Sequence, residues 1–148
     1  MSRFGLEIRA ANAGDAPGLG ELMTACGRSS LAAAVLGERL EAMRAGPGVV
    51  LLALEWGPPS GVIALHWYDR FDAAAPTAQI TTLLVAPDAR RRGIGRALLK
   101  AASQAARQAG CGALQLLAPQ DDALEGFSRA TGFVQDQTTW LRPLRKKG

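Results

Sequence analysis

Histidine, tyrosine and cysteine are almost absent from this sequence: one histidine, one tyrosine and two cysteines in 148 residues. A single histidine, His66, with Cys26 and Cys111 far apart, provides no metal-ligand spacing, so no metal site is expected. The two thiols predict reduced core cysteines of a cytosolic protein rather than a disulfide framework. No apolar run approaches the roughly 18 residues that cross a bilayer, and the opening MSRFGLEIRA lacks the apolar centre of a secretory signal. A cytoplasmic location with no membrane partner is therefore expected. Aromatic residues are also scarce and are not interleaved with basic ones, which excludes the stacking surface of a single-strand nucleic-acid binder. The formal net charge of +4 does not alter that expectation. Three arginines belong to a glycine-containing loop, and Arg142, Arg145, Lys146 and Lys147 fall in or beside a solvated basic tail over 143–148.

What the chain does have is an apolar composition, 48% of residues, and a length that suits one domain over 1–148. The organising stretch runs from Ala78 to Gly110. An apolar run, Ile80 to Ala86, reads as a strand and leads through Pro87-Asp88-Ala89 into Arg90-Arg91-Arg92 and Gly93-Ile94-Gly95. A helix follows, with Ile94, Leu98, Ala101, Ala102, Ala105 and Ala109 on one face and Arg96, Lys100, Gln104, Arg107 and Gln108 on the other. Gly110 is the expected stop. The first N–H groups of a helix lack intrahelical partners, and the peptide dipoles add positive potential there. An anion such as a diphosphate finds donors and field together at that end. Glycines 93 and 95 keep side chains out of its way, and the arginines add charge-assisted donors.

Arg-x-x-Gly-x-Gly, from Arg90 to Gly95, after a strand reading Leu-Leu-Val-Ala-Pro, resembles the acetyl-coenzyme A signature of the GNAT family of N-acetyltransferases. A dinucleotide fingerprint would need a third glycine at Leu98, and a P-loop would need Gly-Lys-Ser/Thr. Gly132-Phe133 after a helix is similar to the family's second hallmark. The resemblance implies an α/β (α+β) GNAT fold: a mixed, mostly antiparallel sheet of six to seven strands, about four helices, and a splayed parallel strand pair at the cofactor. It implies acetyl-CoA cradled by the amides of Arg91 to Gly95, with Arg90, Arg92 and Arg96 nearby. It also implies pantetheine pairing along Leu83, Leu84 and Val85. The partner would be an amine acceptor, and homodimers through strand edges are common in the family.

The remaining residues fit that plan. Leu6 to Arg9 reads as a strand, and Asp15 as the cap of a helix to about Cys26 that buries Leu19, Leu22 and Met23. Ser29 or Ser30 begins a second helix to about Ala45, with Leu31, Val35, Leu36, Leu40 and Met43 at helical spacing. Val49 to Trp56 and Val62 to Asp69 form a hairpin, Ala113 to Ala118 a strand, Asp121 or Asp122 to about Thr131 a helix, and Phe133-Val134 with Thr138 to Leu141 the closing strands. On the second strand of the hairpin, His66 and Tyr68 share a face. Either could relay protons in an acceptor cleft, but half-buried aromatic packing is the preferred reading.

The departures concern catalysis. Counting back from Gly132-Phe133, the position of the family's usual proton-donating tyrosine holds Ser128, and that of its asparagine holds Asp121. The carboxylate positions hold Thr81 and Leu116. Ser128 is the residue left to hydrogen-bond the departing sulfur, and Asp121, which the resemblance places among the cofactor-binding residues, can accept but not donate through its side chain. The leading expectation is transfer of an acetyl group from acetyl-CoA to a primary amine in a ternary complex. The rival is an acyl-CoA-binding sensor without turnover.

Overall fold

A computed structural model describes residues 5–117, 122–136 and 139–145 and divides the chain into two compact units, 1–118 and 119–148. In the first unit the order is β1 (Glu7–Ala10), α1 (Ala16–Ala25), α2 (Ala33–Ala45), β2 (Gly48–Leu54), β3 (Gly61–Tyr68), β4 (Thr77–Val85), α3 (Ile94–Gln108) and β5 (Ala113–Leu116). The second contains α4 (Asp122–Ala130).

The strands form a five-stranded sheet in the order β1-β2-β3-β4-β5. The first four pair antiparallel, β1 and β2 across the α1–α2 segment and β2, β3 and β4 through short loops, whereas β5 follows the crossover helix α3 and runs parallel to β4. On one face Val50, Leu52, Val62 and Leu84 pack with Leu19 and Leu22 of α1 and Leu36 and Leu40 of α2. On the other, α3 lies over β2, β3 and β4. Its buried stripe is Ile94, Leu98, Leu99, Ala102 and Ala106, so Leu99 and Ala106 take positions expected of Ala101, Ala105 and Ala109. Each fully buried leucine in these layers contributes about 1.5–3 kcal/mol.

Five strands, not six to seven, are present among the described residues. The expected closing strands at 133–134 and 138–141 are not seen: residues 133–136 and 139–141 are irregular, and Trp140 is 90% exposed. Thr138 lies outside the described residues; strand propensity in residues such as Trp140 and Leu141 needs a hydrogen-bonded strand to act on, and no strand pairs with them among the described residues. Gly132 does end α4, in the left-handed region at φ 94°, with the Phe133 N–H on the Ser128 carbonyl at 2.9 Å.

Three local expectations also change. Asp15 takes the N-cap position of α1 but makes no side-chain cap bond to it; its carboxylate accepts from the Asn12 N–H, while the Asn12 side chain accepts from Gly14, so Asn12 caps the short turn Ala13–Asp15 ahead of α1. Ser29 and Ser30 do not start α2, which begins at Ala33 without a side-chain cap; the Ser30 hydroxyl donates to the Leu31 carbonyl. Leu31 therefore precedes the helix, and Val35 lies off the Leu36–Leu40 stripe, leaving both exposed.

Arg9 grips Asp15 through two hydrogen bonds of 2.7 and 2.8 Å, tying β1 to the turn before α1. The hydrogen bond from Arg9 holds the Asp15 carboxyl below its ordinary range, overcoming its burial, with the Asn12 N–H assisting.

Candidate functional site

The site is built where β4 outruns its neighbour. β5 pairs with β4 only from Thr77↔Ala113 to Ile80↔Leu116, and the Leu117 N–H closes on the Ile80 carbonyl at 3.0 Å. Beyond Ile80, β4 continues to Val85 with no strand on that edge among the described residues. The Ala86 N–H donates to the Ser60 carbonyl on the β3 side. By alternation the polar groups of Leu84 also face β3, and those of Leu83 and Val85 face the open edge. Leu84 instead buries its side chain. The Val85 carbonyl accepts from Arg90 Nε at 3.2 Å and from the Cys26 thiol at 3.6 Å, so the end of α1 abuts this edge.

At the end of β4 the chain turns through Pro87–Ala89 and reaches Arg91, whose φ of 68° makes it the one positive-φ residue other than glycine among those described. Gly93 follows at φ 79° as the N-cap of α3, with no side chain capping the helix. A Cβ at either position costs on the order of 1 kcal/mol or more, which glycine avoids and Arg91 does not. The first intrahelical bond runs from the Ala97 N–H to the Gly93 carbonyl. The amides of Ile94, Gly95 and Arg96 thus stand at the helix start without intrahelical acceptors. Arg96 is exposed and Gly95 half-buried, while the Ile94 side chain is a core residue. Gly61 of β3 lets this turn approach the sheet: a Cβ there would stand 3.0 Å from the Leu98 methyl and 3.1 Å from that of Ile94.

The three arginines do different things. Arg90 caps the strand carbonyl, Arg91 is exposed, and Arg92 is held by Glu55 through two bonds of 2.9 Å. The Ser60 hydroxyl donates to the same carboxylate, and that bond, with Arg92 second, holds Glu55 below its ordinary range. Sequence spacing could not reveal this pair because Glu55 lies on the turn after β2, far along the chain.

Asp15 and Glu55 together predict the acid behaviour of the fold. Both carboxyls have folded values below their unfolded ones, so the unfolded chain binds more protons in mild acid. Their stabilisation is complete above the ordinary carboxylate range, about pH 4, and is lost as pH falls below it through the folded values. Urea midpoints between pH 7 and pH 3 should fall, and the fall should be shallower in D15N and E55Q.

Of the expected catalytic positions, Ser128 donates its hydroxyl to the Leu124 carbonyl at 2.7 Å, a helical back-bond that occupies its only proton. Asp121 lies outside the described residues. Leu116 is half-buried in β5. Thr81 is exposed and lies 3.1 Å from His66 Nε2. Sequence reasoning did not bring those two together, because a bulge puts Thr81 out of step: Ala64 pairs with Thr82, and Leu65 already pairs with Ile80. Between α1 and Ser30 an open cavity of about 550 Å³ is lined by Gly20, Glu21, Thr24, Ala25 and Ser30.

The family model described as "Acetyltransferase (GNAT) family" matches residues 18–133, which contain the strand, loop and helix just described. The chain belongs to the GNAT family of acetyltransferases. Among solved structures it is 31% identical to a protein of Agrobacterium tumefaciens str. C58 whose acetyltransferase activity is itself an inference. That likeness covers 93% of this chain and 99% of the other, with a TM-score of 0.81. The GNAT fold is also shared with glucosamine-6-phosphate N-acetyltransferase from Arabidopsis thaliana, at 16% identity, TM-score 0.82 and coverage of 95% and 99%. An aminoglycoside acetyltransferase from an uncultured soil metagenomic sample is 23% identical, with TM-score 0.79 and coverage of 96% and 97%. No curated protein matches the chain. No helix among the described residues is long and apolar enough to cross a membrane, and no three of their His, Cys, Asp or Glu side chains cluster as metal ligands.

Proposed function

We propose that this GNAT protein transfers an acetyl group from acetyl-CoA to a primary amine by direct attack in a ternary complex. The observation that carries the reading is the uncapped start of α3 beside the open edge of β4. One end offers free amides to an anion, and the other offers strand-like donors and acceptors to an amide-bearing arm. The residues fit the group. Ile94, Gly95 and Arg96 amides would hold the diphosphate, with Arg91 free to add charge and Arg90 close by. Arg92 acts through Glu55, as a brace of the loop. Leu83 and Val85 would pair with pantetheine amides, and Leu84 would support them from the core. Bound acetyl-CoA supplies an activated thioester; the protein supplies position, which alone can remove a large part of the barrier. Backbone N–H groups along the open edge can polarise the carbonyl as it gains charge. Similar structures acting on a sugar amine and on aminoglycosides support an amine acceptor as the class.

The test is calorimetric titration with acetyl-CoA, followed by free-thiol release over a panel of amino sugars, aminoglycosides and peptide N-termini. Saturable binding with thiol release on at least one amine is the expected result. Binding without release on any amine would favour the acyl-CoA sensor, and no binding would remove both.

A further inference from the structure

On the α1/α2 face of the sheet, the apolar cover ends before the sheet does. Val62 and Ala64 of β3 belong to or pack on the core beneath the helices, and the next residue on that face, His66, is exposed. β4 behaves alike: Leu84 is buried, Thr82 half-buried, and Thr81 is the one exposed residue of the strand. The bulge turns the Thr81 hydroxyl toward His66, 3.1 Å from Nε2. It does so at the point where β5 stops pairing and the open edge of β4 begins. An imidazole and a hydroxyl in the middle of two inner strands, neither covered, form a proton-handling pair at the head of the cofactor edge.

Resting on the acetyltransferase reading above, we propose that His66 is the general base for the acceptor amine, acting through the Thr81 hydroxyl. With Nδ1 carrying the ring proton, Nε2 accepts from Thr81 Oγ1, and Oγ1 keeps lone pairs for an incoming ammonium. The ammonium gives one proton to Oγ1 as the hydroxyl proton passes to Nε2. The neutral nitrogen then forms a bond to the acetyl carbon, the carbon–sulfur bond breaks, and the sulfur leaves with the electron pair. The nitrogen's second proton goes to the sulfur, and the imidazolium returns its proton to water. The sum is ammonium plus thioester giving amide, thiol and one proton. The register partners of His66 are uncharged, Gly48 and Gln79, and α2 approaches Gly48 through Met43. Charged residues of α2, Glu38, Arg39, Glu41 and Arg44, are exposed. On its own strand Tyr68 shares the face, and beyond the strand Arg70 is paired with Asp72.

The single histidine makes the test clean, because one imidazole signal reports this site. In the free protein, T81V should move the nitrogen-15 signal of Nε2 in that ring, and T81S should restore it. In turnover, H66Q should lower kcat/KM near neutral pH by about 100-fold or more. That loss should shrink as pH rises and amines shed their protons unaided, with the acetyl-CoA Kd unchanged. T81V should follow H66Q in part and T81S should not. An Nε2 signal indifferent to T81V, or an H66Q enzyme with the wild-type dependence of kcat/KM on pH, overturns the proposal while leaving acetyl transfer intact. Failure of the wild-type protein to bind acetyl-CoA, or to use any amine, overturns this proposal through the reading beneath it.

Discussion

Replacing Gly95 with glutamate should weaken coenzyme A binding by at least about 100-fold, roughly 2.7 kcal/mol. Gly95 is the second residue of α3, so its amide belongs to the set without intrahelical acceptors. A glutamate in a first helical turn is favourable to the helix itself, since the carboxylate meets the positive end of the dipole. The folded protein should therefore keep its circular dichroism spectrum and its urea midpoint. What it loses is the potential that attracts a diphosphate, because the carboxylate occupies it and repels the ligand. Calorimetry on the purified variant decides the matter. An unchanged Kd would mean that the anion docks somewhere other than the start of α3.

The largest effect on stability is expected from Leu98→Ala. Leu98 is 0% exposed and faces β3, where its methyl lies 3.0 Å from the point a side chain on Gly61 would reach. Truncation leaves a cavity between helix and sheet that the surrounding strands cannot close, and a loss of about 2–5 kcal/mol follows. Leu98→Met, which conserves volume, should cost less than about 1.5 kcal/mol. Urea denaturation gives both numbers. Because the same helix presents its unpaired amides one turn earlier, the variant also separates two contributions to ligand binding. Coenzyme A affinity should survive in Leu98→Ala wherever the protein remains folded.

The loop and the start of α3 were legible because their signals are local. Strand, turn, Arg90 to Gly95 and amphipathic helix succeed one another within a few turns of chain, and each step constrains the next. Helix α3 came out as Ile94–Gln108 against an expected end near Ala109, and the loop glycine at 93 does adopt the left-handed backbone. The stripe of α2 was partly misread, because periodicity alone cannot say that Leu31 precedes the helix or that Val35 stays exposed. The closing strands failed for a related reason: their residues favour extended structure, but a strand exists only against a partner.

The pairing of His66 with Thr81 was hidden for a different reason. Thr81 and His66 lie on separate strands, and a one-residue bulge decides whether their side chains meet or face apart. Glu55 and Arg92 were likewise joined by the folded sheet rather than by spacing. Ser128, chosen by counting from Gly132-Phe133, has its proton committed to a carbonyl one turn back, a contact that any serine inside a helix can make.

By itself the sequence determined the order of elements, the family and the anion-receptive start of α3, because these follow from periodicity and from backbone groups that every helix leaves unpaired. The tertiary structure alone decided which arginine is braced, which strand edge stays open and which polar side chains face each other. Those outcomes depend on register and bulges, and a shift of one residue in pairing reverses the face on which a side chain emerges.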